Sequence, residues 1–106
     1  MARLVLRGFE IHKDLLTATA QADLIQALKP VLRASPLFTP VTPGGKSMSV
    51  RMTSAGAWGW VSDADGYRYA PQHPKGTPWP EIPQQILDIW QSVTGLSRLP
   101  DSCLIN

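Results

Sequence analysis

Prolines and glycines crowd the middle of this chain and constrain its fold more than any other feature. The 106 residues include ten prolines and eight glycines. From Ser35 onward, Ser-Pro, Thr-Pro and Thr-Pro-Gly-Gly follow in quick succession, and each favours a turn over regular structure. A second proline-rich stretch covers residues 71–80. The sequence therefore predicts one loop-rich domain rather than a helical bundle.

Two segments outside these loops have helical periodicity. After Asp14, which we interpret as an N-cap, apolar side chains recur at helical spacing as far as Val31. Pro30 is expected to kink this helix or end it early. A second amphipathic helix is predicted over residues 82–93, with Gly95 as its C-terminal stop. The apolar face of each helix predicts packing against a core.

Short strands are predicted around these helices. Residues 3–9 predict a first strand bounded by Gly8, and residues 103–106 predict a last one. Residues 47–53 alternate apolar and polar side chains, which is typical of a strand with two distinct faces.

A hairpin is predicted next, and it would complete a small three-stranded meander. Its strands are expected over residues 58–61 and 66–69, because the Asp-Ala-Asp-Gly run at residues 63–66 is typical of a turn.

The distribution of charged residues bears on whether the chain could bind nucleic acid. The net charge is only +2, yet residues 29–75 carry an excess of basic side chains. The basic residues there are Lys29, Arg33, Lys46, Arg51, Arg68 and Lys75, against Asp63 and Asp65. They could help hold a phosphate backbone, and an ordinary solvated surface explains them equally well.

The cysteine content and the apolar segments indicate where the protein is located. The single Cys103 excludes a disulfide within the chain and is typical of a reducing compartment, so we expect a cytoplasmic protein. The first apolar run is too short for a signal peptide, and no segment predicts a membrane span. We also expect a monomer.

Four motifs follow one another in the second half of the chain: VTPGGKSMSVRMT, GWVSDADGYRYAP, KGTPWPEIP and DSCLIN. In this order they resemble the bacterial AlkB proteins, which are iron and 2-oxoglutarate dependent dioxygenases. The motifs span residues 41–106 and are specific as a set. Residues 1–40 share only the pattern of a strand, a Gly-Phe pair and a helix, and so add weaker support.

The resemblance implies an α+β fold. Residues 1–40 would form a supporting strand and helix, residues 41–70 a small antiparallel nucleotide-recognition lid, and residues 71–106 a loop, a helix and the first strand of a double-stranded β-helix (jelly-roll) core. The family continues beyond the last motif, so we expect the core to be truncated here.

The resemblance also implies a function. A complete enzyme would hydroxylate the alkyl group of 1-methyladenine or 3-methylcytosine in single-stranded DNA or RNA, using Fe(II), oxygen and 2-oxoglutarate. This chain alone would be inactive. A non-catalytic module that binds single-stranded nucleic acid is the alternative.

Site residues follow from the resemblance, position by position. Trp60 would stack on a flipped base, because alkylation on a ring nitrogen makes the base cationic and an indole face attracts cations. The other matching positions are Tyr67, Tyr69 and Thr42 for the nucleotide or its phosphates, Met48 and Met52 for the wall beside the base, and Asn106 for 2-oxoglutarate. Lys46 departs from the pattern, because some relatives carry an aromatic residue there. We expect the remaining tryptophans, Trp58, Trp79 and Trp90, to lie in the core, and Cys103 to be inert packing.

The iron ligands are a separate question. The family chemistry needs a His-x-Asp pair and a distant second histidine, and the only set of these types here is His12, Asp14 and His73. We reject this set as the iron site, because Asp14 is explained as a helix cap and His73 as an exposed loop histidine. The resemblance puts the true pair beyond Asn106. A minor metal site at the three residues is a third hypothesis.

Overall fold

The fold is that of a computed structural model that describes residues 2–106, and within that range it is a small α+β arrangement. The elements in chain order are β1 (Ala2–Leu6), β2 (Phe9–Lys13), α1 (Ala18–Ala34), β3 (Thr53–Gly56), β4 (Gly59–Asp63), β5 (Gly66–Ala70), α2 (Gln84–Thr94) and β6 (Ser102–Ile105). The strands pair as three antiparallel ladders, β1 with β2, β3 with β6, and β4 with β5. The α+β class predicted from the sequence is confirmed.

The first ladder corrects the prediction of a single strand over residues 3–9. Arg7 and Gly8 both have positive φ, 51° and 86°, and reverse the chain so that Leu6 pairs with Phe9. Two consecutive residues in the left-handed region form the two-residue turn whose twist matches that of a hairpin. Gly8 is therefore the centre of a turn and not the end of a strand.

Helix α1 begins at Thr17 and not at Asp14. The Thr17 hydroxyl accepts a hydrogen bond from the Ala20 backbone N–H at 3.1 Å, which satisfies one of the free donors of the first turn. Asp14 instead has a φ of 54° and lies in the preceding turn. Pro30 does not end the helix, which continues to Ala34.

The predicted strand over residues 47–53 is largely wrong. Only Thr53 belongs to a strand, because β3 starts there and pairs with β6, Thr53 opposite Ile105. Upstream, Ser47 and Met52 form isolated bridges with Val41 and Phe38. The three-stranded meander is also wrong, because the first of its expected strands takes its partner from residues 102–105.

Strands β4 and β5, helix α2 and strand β6 lie where the sequence predicts them to within three residues. Gly95 ends α2 in a left-handed conformation, φ 67°, and its N–H donates to the Gln91 carbonyl. No helix in residues 2–106 is both long enough and apolar enough to cross a bilayer.

Trp79 is the centre of the packing behind β4. Its side chain is only 6% exposed, and its indole N–H donates to the Ala70 carbonyl at 2.7 Å. A Cβ atom at Gly59 would collide with the Trp79 ring, so only glycine lets β4 approach this closely.

His73 packs edge-on against Trp79, which corrects the prediction that it is exposed to solvent. The imidazole is 6% exposed and its Nε2 lies 2.8 Å from the Pro36 carbonyl, while Nδ1 accepts from the Lys75 N–H. Since Nδ1 accepts, Nε2 carries the proton and donates to Pro36. The histidine ties the proline-rich loop to the segment after α1.

Candidate nucleic-acid interface

The β4–β5 hairpin has two chemically different faces. Side chains alternate across a strand, so Gly59 and Val61 point towards Trp79 while Trp60 points the other way. In β5, Tyr67 and Tyr69 lie on the same side as Trp60. With Trp58 these residues form a surface that we call the aromatic face, namely Trp58, Trp60, Tyr67 and Tyr69.

Trp60 is half-buried at the middle of the aromatic face. It pairs across the ladder with Tyr69 and stacks on Tyr67, with ring centroids 5.8 Å apart and ring planes 16° from parallel. This separation is normal for an offset aromatic stack. Tyr67 and Tyr69 are both well exposed. The indole is therefore held in place by its neighbours without being enclosed by them.

A cleft of about 280 Å³ lies beside the Trp60 ring. Its lining consists of Met52, Trp60, Tyr69, Ser102 and Leu104. Met52 is buried and is fixed by two backbone hydrogen bonds to Phe38, each 2.9 Å long. A flat aromatic wall facing a soft thioether side chain can accept a planar, cationic or polarisable ring.

Trp58 corrects the expectation that it lies in the core. It is 45% exposed, because it lies in the loop just before β4 and, together with Tyr69, lines an open cleft. Trp79 is in the core as predicted. Trp90 is half-buried on α2, where its indole N–H donates to the Arg98 carbonyl at 2.9 Å.

Thr42 and Met48 are outside the lining of the Trp60 cleft. Thr42 closes a turn, since its hydroxyl accepts from the Lys46 N–H and its own N–H donates to the Lys46 carbonyl. The residue before it, Val41, is bonded to Ser62 through both a backbone N–H and the Ser62 hydroxyl. Ser62 lies on the Trp60 side of β4, so the turn borders the aromatic face. Met48 is half-buried further along the same segment.

Strand β6 contributes two residues to the cleft that were not predicted from the sequence. Ser102 and Leu104 alternate onto the side of β6 that lines the cleft. Asn106 is the next residue in this alternation and is exposed. Alternation along residues 102–106 indicates Ser102 and Leu104, but only once the pairing of β3 with β6 is known.

The tip of the β4–β5 hairpin carries one well-formed ion pair. Arg68 donates to both carboxylate oxygens of Asp63, at 2.7 and 2.9 Å, and Asp63 also accepts from the Asp65 N–H. The Arg68 hydrogen bonds, followed by the one from Asp65, lower the pKa of Asp63 from its ordinary 3.8 to about 2. The Arg68 guanidinium is thus paired within the hairpin. The other basic side chains of residues 29–75 are exposed.

The residues that could bind a metal ion do not come together within residues 2–106. Among residues 2–106, His, Cys, Asp and Glu side chains nowhere form a group of three that could hold a metal ion. His12 contacts Glu10 at 3.6 Å, whereas His73 is bonded to Pro36, so the alternative set with Asp14 is not brought together. Cys103 is half-buried, and burial raises the pKa of its thiol, which disfavours the reactive thiolate. These residues therefore do not fit ferrous iron.

Known proteins resemble this chain over nearly its whole length. The model of the 2OG-Fe(II) oxygenase superfamily matches residues 8–106. An alpha-ketoglutarate-dependent dioxygenase AlkB homolog of Caulobacter vibrioides is 43% identical over 96% of the chain, and this match covers 47% of the relative. The alpha-ketoglutarate-dependent dioxygenase AlkB of Escherichia coli and that of Salmonella typhimurium are each 39% identical over 82% of the chain and are covered to 43%. The chain spans about half the length of the curated relatives it matches.

Proposed function

The chain belongs to the 2OG-Fe(II) oxygenase superfamily, and on this basis we propose that it holds the alkylated base for an oxidative nucleic-acid demethylase. The similarity to proteins named AlkB supports the choice of this branch of the superfamily. The substrate would be a base of the 1-methyladenine or 3-methylcytosine type in single-stranded DNA or RNA. Fe(II) and 2-oxoglutarate would supply the oxidation in the complete enzyme.

One observation carries the proposal: Trp60 presents an indole ring beside an open cleft rather than inside the core. A base alkylated on a ring nitrogen is cationic, and it is attracted by the electron-rich face of an indole in a site that excludes part of the solvent. The base must leave its stack to reach such a cleft, and alkylation reduces the cost because it weakens base pairing. The stack on Tyr67 would keep the indole in place.

The neighbouring residues have supporting roles in this proposal. Met52 would form the opposite, pliant wall of the cleft. The hydroxyls of Tyr67 and Tyr69 are exposed and can donate to the nucleotide, and the Thr42 turn at the border of the aromatic face can reach its phosphate. The proposal that Met48 belongs to the same wall rests on the resemblance alone, since Met48 does not line the cleft.

Asn106 is proposed to bind 2-oxoglutarate. Asn106 directly follows β6, two residues after Leu104 of the cleft lining, and its amide can both donate to and accept from a dicarboxylic acid. The iron ligands would come from outside residues 2–106, and no step of the oxidation is assigned to the residues described here.

The test uses the full-length protein with iron, 2-oxoglutarate and a single-stranded oligonucleotide containing 1-methyladenine. Trp60→Ala should lower turnover by about 10-fold to 100-fold, since stacking contributes about 1–3 kcal/mol per base. Trp60→Phe keeps an aromatic platform and should retain part of the activity. Demethylation is followed by mass spectrometry, with thermal unfolding as the check on folding. Wild-type turnover in a folded Trp60→Ala variant would refute the role of the indole.

A binding module without catalysis is the second candidate, and the exposed aromatic face together with exposed basic residues favours it. Such a module would bind unmodified single strands as well as alkylated ones, with affinity falling steeply as salt rises. A full-length protein that binds in this way and never removes the methyl group would support this candidate over the enzyme.

A further inference from the structure

The Tyr69 ring borders two clefts and not one. One is the cleft with Met52 and Trp60, and the second is a larger cleft of about 530 Å³. The larger one is lined by Trp58, Tyr69, Asp101 and Ser102, and we call it the Trp58 cleft. Tyr69 and Ser102 belong to both linings, so the two clefts are neighbours on the aromatic face.

The walls of the Trp58 cleft suit a nucleic-acid base. Trp58 and Tyr69 offer flat rings that are 45% and 61% exposed, and aromatic rings of this kind stack on bases of any sequence. Asp101 adds a carboxylate with a mostly exposed side chain. A carboxylate accepts hydrogen bonds from an exocyclic amino group such as cytosine N4. Arg98 lies 3.9 Å from Asp101, and this exposed pair is too weak to occupy the carboxylate.

The backbone holds these two walls together. The Trp58 N–H donates to the Asp101 carbonyl at 3.2 Å. Gly56 has a φ of 118°, and the Asp101 carbonyl occupies the space that a Cβ would need, so only glycine allows this approach. The Gly56 N–H is bonded to the Pro80 carbonyl. The backbones of Trp58 and Asp101 are therefore held together at one cleft, although the two residues are 43 positions apart in sequence.

The spacing of the two tryptophans fits an unstacked strand. Trp58 directly precedes β4 and Trp60 is its second residue, so their Cα atoms are up to about 7 Å apart. This is about twice the 3.4 Å separation of stacked bases along a nucleic-acid strand. Side chains attached that far apart suit two neighbouring bases that have come apart, as base flipping requires.

We propose that the Trp58 cleft binds the base next to the alkylated one and favours a base with an exocyclic amino group over thymine. The inference rests on the proposed function, because the neighbour is defined by the base held at Trp60. It assigns Trp58 and Asp101 to substrate recognition, a role that neither the motif resemblance nor the sequence pattern gave them.

The experiment compares two ligands on the full-length protein. One is a fluorescein-labelled pentanucleotide with 1-methyladenine at its centre, followed by anisotropy, and the other is 1-methyladenosine monophosphate, followed by calorimetry. Trp58→Ala should weaken pentanucleotide binding about tenfold and leave the mononucleotide within about twofold, because only the longer ligand reaches the second cleft. Trp58→Phe should recover most of the pentanucleotide affinity.

Two further arms identify the occupant. An abasic site is introduced on the 5′ or the 3′ side of the lesion, and on one of these sides it should weaken the wild type and abolish the effect of Trp58→Ala. On that same side, the wild type should bind cytosine more tightly than thymine by at least about threefold, and Asp101→Asn should remove this preference.

Failure of the inference is distinguishable from failure of the proposed function. If Trp60→Ala weakens both ligands while Trp58→Ala weakens neither, the inference is overturned and the function stands. If Trp60→Ala leaves mononucleotide binding unchanged, the proposed function itself fails. Equal weakening of both ligands by Trp58→Ala would also overturn the inference. So would a loss of thermal stability in Trp58→Ala with unchanged affinity, since another part of the protein would then fill the cleft.

Discussion

The two faces of the β4–β5 hairpin are built from the same strands, but one is buried and the other is partly exposed. On the inner face, Val61 is buried and Gly59 packs against Trp79 with no room for one additional methyl group. On the outer face, Trp60 and Tyr69 border a cleft and remain partly exposed. The difference shows that the parity of a position in β4 decides whether its side chain lies on the buried side or beside the open cleft.

The largest effect expected from this difference is that of removing the inner indole. Trp79→Ala should lower the free energy of unfolding by about 3–5 kcal/mol, because a buried ring and its bond to Ala70 are both lost. Trp60→Ala on the outer face should cost only about 1 kcal/mol, the value of one aromatic stack. Urea unfolding measures both, and similar losses at the two positions would contradict the division into faces.

A smaller loss is expected from overfilling the inner face. Gly59→Ala would push a methyl group into Trp79 and the Ser54 side chain and should lower the free energy of unfolding by about 1–3 kcal/mol. Gly44→Ala is the matched control, because a Cβ there meets only Thr42 Oγ1 at an ordinary 3.8 Å. This control should change stability by less than about 0.5 kcal/mol. A neutral Gly59→Ala would show that the inner face is looser than its geometry indicates.

The smallest expected effect concerns the hairpin tip, where both faces end. Because the folded-state pKa of Asp63 is about 2 and its ordinary value is 3.8, the bond to Arg68 stabilises the fold fully above the ordinary value. That contribution is lost as the pH falls through the folded-state pKa.

Arg68→Gln should bring the pKa of Asp63 back towards 3.8, with part of the shift retained through the Asp65 N–H. Carbon-13 NMR of the carboxyl group follows this titration, and Arg51→Gln is the charge-matched control. An unchanged pKa in Arg68→Gln would mean that the ion pair is not formed in solution.

Local patterns in the sequence predicted those elements whose cause is local. Gly95 ends α2, and the turn before Gly66 forms the β4–β5 hairpin, because each depends on residues within a few positions of it. The resemblance to AlkB proteins is confirmed for the same kind of reason, since its motifs are contiguous runs of residues.

The Arg7–Gly8 turn and the Thr17 cap are local features that the predictions missed, whereas other predictions failed because the deciding contact lies far along the chain. Residues 47–53 have a strand's alternation, yet β3 begins only at Thr53, where β6 supplies a partner. His73 was predicted to be exposed because it lies in a proline-rich loop, but it is buried and bonded to Pro36, 37 positions away. Ser102 and Leu104 line the cleft because β6 pairs with β3, about 50 positions earlier in the chain. The proposed roles of Trp60, Tyr67, Tyr69, Thr42, Met48, Met52 and Asn106 remain predictions.

The tight contact between Gly59 and Trp79 has a consequence for the residue that follows it. Since the Trp79 ring fills the space behind Gly59, the side chain of Trp60 cannot turn inward and lies on the outer side of the strand. The stack on Tyr67 restricts the Trp60 ring further, so a bound base would lose little entropy in ordering it. Glycine at position 59 thus helps to preorganise the outward indole of its neighbour.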